Sequence, residues 1–121
     1  METIAFAFPV RPGKTQALRE LADQFRTERK EEFQDFLRRL NTAEENWYLQ
    51  PFGEMDLCIC YLAAENLGEA FAKLAQSDHP FDNFIKDINK EIFGIDFNEP
   101  SDGGMPEVLF EFKVKLQDTN N

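Results

Sequence analysis

The sequence predicts an α+β fold of the ferredoxin-like kind: strands and helices in the order β-α-β-β-α-β, an antiparallel sheet, and helices on one face. Three observations predict it. Residues 3–10 and 55–63 are short runs that are apolar on both faces, as strands covered on both sides must be. Residues 46–63 read as a hairpin, strands 46–52 and 55–63, turned at Phe52-Gly53-Glu54. Gly53 takes the positive φ of a tight turn without strain, and Pro51 fits near a strand end because it cannot donate to a ladder. The remaining apolar residues between 14 and 93 recur at helical spacing.

Taken in order, the first strand puts Ile4, Phe6 and Phe8 on one face and Ala5 and Ala7 on the other, and Arg11-Pro12-Gly13 ends it. From Lys14 to about Leu40 one stripe collects Leu18, Leu21, Ala22, Phe25, Phe33, Phe36, Leu37 and Leu40. This predicts one long helix, bent near Arg26–Arg29, whose second half extends past the sheet; Thr27 is the alternative cap of a second helix. In strand 55–63, Met55, Leu57, Ile59 and Tyr61 point one way and Cys58, Cys60 and Leu62 the other. Glu65-Asn66 opens a short helix with Leu67, Ala70, Phe71, Leu74 and Ala75 inward. It stops at Ser77-Asp78-His79. Pro80 suits the first turn of the next helix, with Asp78 or His79 as its cap; Phe81, Phe84, Ile85, Ile88 and Ile92 form its stripe and Gly94 its stop. Residues 95–105 read as a loop. Residues 107–115 read as a last strand with Val108, Phe110, Phe112 and Val114 inward, and 117–121 as a loose tail. The spatial order 4-1-3-2 places strands 1 and 3 in the centre, and the more polar strands 2 and 4 suit the edges.

The 121 residues form a single domain, 1–121, with 42% hydrophobic residues and 13 Phe to build a core. The net charge of −10 argues against a nucleic-acid partner and an anionic membrane surface, both of which need clustered Lys and Arg. Residues 1–40 carry 8 basic and 7 acidic side chains, so the excess acid lies in the rest of the chain. The longest apolar run, Leu57 to Ala64, is far shorter than the roughly 18 residues of a membrane span, and residues 4–10 do not make a signal peptide. A cytoplasmic protein is expected. Cys58 and Cys60 stand two apart on one strand face with near-parallel side chains, which predicts two reduced thiols rather than a disulfide. No metal site is expected: a single His cannot complete a cysteine site, and the acidic loop 96–102 lacks calcium-loop spacing.

Either face of this sheet is apolar. Strand 1 offers Ile4, Phe6 and Phe8, and strand 3 offers Met55, Leu57, Ile59 and Tyr61; the opposite faces, with Ala5, Ala7, Cys58, Cys60 and Leu62, are smaller. One chain has helices for one face only, so a homodimer through the open sheet face is expected.

The stretch Ala72-Lys73-Leu74-Ala75-Gln76-Ser77-Asp78-His79-Pro80-Phe81 is similar to the segment of antibiotic-biosynthesis-type monooxygenases where one helix closes on a Ser/His turn and the next opens. On this stretch and the element order, the chain resembles the dimeric α/β-barrel superfamily, nearest to its small bacterial families of no assigned activity. The resemblance implies a cavity between sheet and helices, where the monooxygenases hold flat polycyclic or haem ligands; Trp47, Tyr48 and Tyr61 are the candidate ligand-binding residues. His79, with Asp78 beside it and Asp82 three residues on, is the candidate general base, since a carboxylate can fix one imidazole tautomer. The bland reading makes the same three residues a helix-start turn. Two function classes follow: a dimeric module with a binding or assembly role and no cofactor, and a cofactor-free or haem-dependent monooxygenase-like enzyme. A pocket touching His79 would favour the enzyme, and a cavity filled by Phe and Trp the module.

Overall fold

The computed structural model of the chain describes residues 1–97 and 105–117. Among the described residues seven elements follow one another: β1 (Glu2–Pro9), α1 (Thr15–Arg26), α2 (Lys30–Arg39), β2 (Thr42–Phe52), β3 (Met55–Ala64), α3 (Leu67–Gln76) and α4 (Pro80–Phe93). The strands make an antiparallel sheet in the order β1-β3-β2. The hairpin turns at Gly53, φ 64, with Phe52 paired to Met55. β2 starts four residues before the expected Asn46, because a bulge at Thr42/Glu44 lets it pair back to Ala64.

Register decides which face is which, because directly paired residues share a face. Phe6 pairs with Cys60 and Phe8 with Cys58 on one side of β3, and Trp47 and Leu49 meet the same two residues from the other. Ala5 and Ala7 pair with Tyr61 and Ile59. The sequence grouped Ala5 and Ala7 with the two cysteines; the sheet joins the cysteines to the phenylalanines instead. The helices cover the Phe–Cys–Trp face. The core beneath them gathers Leu18, Leu21, Phe25, Phe36, Cys58, Leu74, Phe81, Ile85 and Ile92. The other face carries Ala5, Ala7, Ile59, Tyr61 and Tyr48, the last 57% exposed.

Two expectations about elements are corrected. The long helix 14–40 is two helices. Thr27 leaves helical geometry, its hydroxyl donates to the Asp23 carbonyl at 2.8 Å, and the Arg29 amide reaches back to the Gln24 carbonyl at 2.8 Å. The Arg29 guanidinium then lies over Phe84, 4.1 Å from its ring centre, and holds Glu32. These contacts turn α2 back onto the body, where Phe36 is buried, so the second half does not extend past the sheet. Thr27 is not the α2 cap either; that position is Arg29.

The second correction is the last strand. Residues 105–117 have no regular structure, and Val108, Phe110, Phe112 and Val114 are all exposed. β1 is therefore an edge of the described sheet rather than a central strand. The expected loop 95–105 and tail 117–121 fall largely on residues 98–104 and 118–121, outside the described residues.

Both helices after the hairpin begin and end where local chemistry places them. Asn66 caps α3 by accepting from the Glu69 amide at 2.9 Å, and Gly94, φ 73, ends α4 in the left-handed region. Among the described residues no helix is long and apolar enough to cross a membrane.

Candidate functional site

The Ser77–Asp82 turn is the first place the sequence points to. His79 is the N-cap of α4: its Nδ1 accepts from the Phe81 amide at 3.1 Å. That nitrogen is committed to the backbone. Asp78 lends its backbone carbonyl to Asn83, and Ser77 Oγ accepts from the His79 amide. Asp82 is buried, only 1% exposed, and is held by a two-pronged Arg39 guanidinium at 2.8 and 2.9 Å and by the Ser77 hydroxyl at 2.6 Å. Burial pushes the Asp82 carboxyl up, but the Arg39 and Ser77 hydrogen bonds and the Arg39 charge outweigh it, and the net shift is downward. The Lys86 ammonium, also buried, donates to the carbonyls of Ala75 and Ser77 at the end of α3. Ser77, Asp82, Arg39 and Lys86 therefore fasten α2, α3 and α4 together. His79, Asp78 and Asp82 lie in one turn, where the His79 ring caps α4 and the Asp82 carboxylate holds Arg39 and Ser77.

A pocket of about 840 Å³ lies elsewhere, between the covered sheet face and the helices. The sheet contributes Phe6, Phe8, Glu45, Trp47, Cys58, Cys60 and Leu62. Helices α2, α3 and α4 add mostly aromatic and aliphatic side chains, and Ile95, Phe97 and Met105 line it as well. His79 does not line it. The pocket neither touches the histidine nor is filled by Phe and Trp, so the structure meets neither sequence-based criterion as framed. Of the three candidate aromatic residues, Trp47 lines the pocket, while Tyr48 and Tyr61 project from the opposite sheet face.

One polar side chain stands out in this wall. Glu45 is half-buried on the same face as Trp47 and Leu62, and Trp47 Nε1 donates to its Oε2 at 2.7 Å. Loss of water pushes the Glu45 carboxyl up to about 7, against the smaller opposing effect of the Trp47 hydrogen bond. The carboxyl is thus poised to gain or lose a proton at neutral pH. Glu45 was not among the residues the sequence singled out. Its signal was the alternation Glu45, Trp47, Leu49, which puts an acid in register with two core side chains.

Cys58 and Cys60 are free and face the same pocket. Burial first, and the nearby Glu45 charge second, push the Cys58 thiol up to about 11 and the Cys60 thiol higher still. Both are protonated and unreactive at neutral pH. The folded protein is expected to react slowly with a thiol reagent, and two thiols per chain should appear on denaturation without reductant. Finding none would mean that the two are oxidised.

The wall does not fit a haem. Among the described residues no histidine lines it to ligate the iron through an imidazole, and no Lys or Arg lines it to meet the propionates. Among the described residues no group of three His, Cys, Asp or Glu could hold a metal ion.

Comparison with known proteins agrees with the fold. The crystal structure of the L-rhamnose mutarotase FA22100 from Formosa agariphila is similar, with a TM-score of 0.60 and 19% identity, over 93% of this chain and 100% of that one. At that identity the likeness is one of fold, ferredoxin-like and α+β. No curated protein matches the sequence. A family model matches residues 1–114, and on that match the chain belongs to the family of unknown function DUF6176.

Proposed function

We propose that the protein binds one small, predominantly apolar organic molecule, neutral or cationic, between its sheet and its helices. The observation that carries this reading is the aromatic pocket of about 840 Å³ with a single desolvated carboxyl, Glu45, in its sheet wall. Its volume falls in the roughly 300–1,000 Å³ range of ligand sites, which combine an apolar lining with a few placed polar groups. The charge of the ligand follows from the wall. Glu45 lines the pocket, as does Asp96, which pairs with Lys90 at 3.7 Å, and among the described residues no Lys or Arg lines it. An anionic group entering there would lose its water and meet the Glu45 carboxylate. A hydroxyl or ammonium group would instead find Glu45 as acceptor, and an ammonium would also find aromatic faces.

The mutarotase of similar fold acts, by its name, on a sugar. A pyranose carries several hydroxyls that each need a partner, and a wall built mainly of Phe, Leu and Ile does not supply them. The fold likeness is therefore not extended to that activity. A second reading has one observation in its favour. A carboxyl that titrates near neutral pH suits proton transfer, so a cofactor-free, monooxygenase-like enzyme would use Glu45, not His79, as its base. We place the protein in the cytoplasm as a homodimer.

Trp47 is the single tryptophan of the chain, so its fluorescence reports on the pocket directly. Titration with 4-phenylbutylamine, 4-phenylbutanol and 4-phenylbutyrate compares the three charge types on one skeleton. The amine and the alcohol are expected to bind saturably, and the butyrate at least about tenfold more weakly, a difference of about 1.4 kcal/mol. In Glu45→Gln the preference for the amine should disappear. Equal or tighter binding of the butyrate, or no saturable change with any probe, would overturn the reading.

A further inference from the structure

We propose that residues 107–115 of a second copy of this chain complete the sheet as its fourth strand, lying along the open edge of β1 and closing that side of the pocket. β1 is paired with β3 along one edge, and among the described residues nothing pairs with the other. The same chain carries a segment that is shaped as a strand and has no sheet. Val108, Phe110, Phe112 and Val114 alternate with Leu109, Glu111 and Lys113, and the four are 56–84% exposed. Such a row of apolar side chains is not left in water by a stable monomer.

The two unfilled features match. β1 is 8 residues long and the segment 107–115 spans nine, so at about 3.3 Å per residue both run for roughly 26–30 Å. On β1, Phe6 and Phe8 stack with ring centres 5.4 Å apart on the pocket face. In the segment, Phe110 and Phe112 stand edge to face at 5.7 Å. A strand added beside β1 with its alternating face toward the helices would set the second pair next to the first, the kind of cross-strand aromatic contact that stabilises sheets. It would also extend the pocket wall past Phe6 and Phe8, where the wall ends at the sheet edge. Charge does not oppose this. Glu107, Glu111, Lys113 and Lys115 leave the segment neutral while the chain as a whole carries −10.

The occupant is a second copy because the chain's own segment stands clear of its own sheet, although the end of α4 is fastened beside β1 by the Arg11 amide, 2.9 Å from the Ile92 carbonyl. A chain that offers both a strand and an edge is self-complementary, and two copies related by a two-fold axis satisfy both features at once. The closing of the pocket rests on the ligand reading above; the strand exchange does not.

Photo-crosslinking tests it. A benzoylphenylalanine placed at position 110, and separately at position 112, is irradiated in the full-length protein, and the products are separated by size and mapped by mass spectrometry. The expected result is a two-chain product with crosslinks to residues 2–9 of the other chain, from a protein of two-chain mass by light scattering. Crosslinks from position 110 or 112 to residues 2–9 within one chain would overturn the proposal. So would a one-chain mass, or a two-chain mass without crosslinks to β1, which is the outcome of a dimer formed only through the Tyr48–Ile59–Tyr61 face. The amine titration of Trp47 on the full-length double variant F110D/F112D separates the two readings: pocket binding that survives alongside absent crosslinks would leave the ligand reading standing alone.

Discussion

Arg39→Ala is expected to lower stability by about 3 kcal/mol at pH 7 in urea unfolding, because it leaves a buried carboxylate without its partner. Asp82 is only 1% exposed, and Arg39 supplies two of its three side-chain hydrogen bonds. The reverse truncation, Asp82→Ala, should cost less. Arg39 is 30% exposed, still pairs with Asp35 at 2.9 Å, and can turn its free prongs to water. The pH dependence has a definite sign. Asp82 is depressed in the folded state, so its contribution is present above the unfolded carboxyl value of about 3.9 and is lost as the pH falls through the lower folded value. The gap between wild type and Arg39→Ala should therefore be widest near neutrality and shrink below about pH 4. Equal costs for the two truncations would mean that Asp82 reaches water once Arg39 is gone.

Glu45→Gln is expected to stabilise the protein at pH 8, by on the order of 1–2 kcal/mol, and to leave it unchanged at pH 4. Glu45 is raised to about 7 in the folded state, so the folded chain holds its proton more tightly than the unfolded chain does. On this account wild-type stability is full below the unfolded value of about 4.3 and falls as the pH rises toward 7. Glutamine is neutral throughout and still offers an oxygen to Trp47 Nε1. The full shift is discounted because the carboxyl is only half-buried and keeps some access to water. Urea melts of both proteins at the two pH values decide the matter; a variant less stable than wild type at pH 8 would show that the charged carboxylate is welcome in the wall.

Much of the fold could be read from residues whose chemistry is local. Asn66, Pro80, Gly53 and Gly94 each act within a few residues, and each marks the boundary it was expected to mark. What could not be read depends on partners distant in sequence. The polar run Arg26–Glu32 has the composition of one helix's solvent face; it breaks because Arg29 finds the rings of Phe81 and Phe84, some fifty residues on. Glu44 and Glu45 are the same residue type side by side, and only the bulge and the pairing of Glu45 with Leu62 send one to water and the other to the pocket. His79 drew attention as the single titratable imidazole, yet a residue just ahead of Pro80 is also where a helix needs a cap, and the backbone took it. The alternation in residues 107–115 is that of a strand, but alternation alone does not say whose sheet it joins.

The ligand reading stands on a half-buried carboxyl whose proton affinity is raised by the apolar pocket, and that can be measured directly. The side-chain carboxyl ¹³C shift of Glu45, assigned by its loss in Glu45→Gln, is followed from pH 3 to pH 9 in the unliganded protein. The account predicts a midpoint near 7. A midpoint near the ordinary glutamate value of about 4.3 would mean that the pocket is wetted around Glu45, and would contradict it.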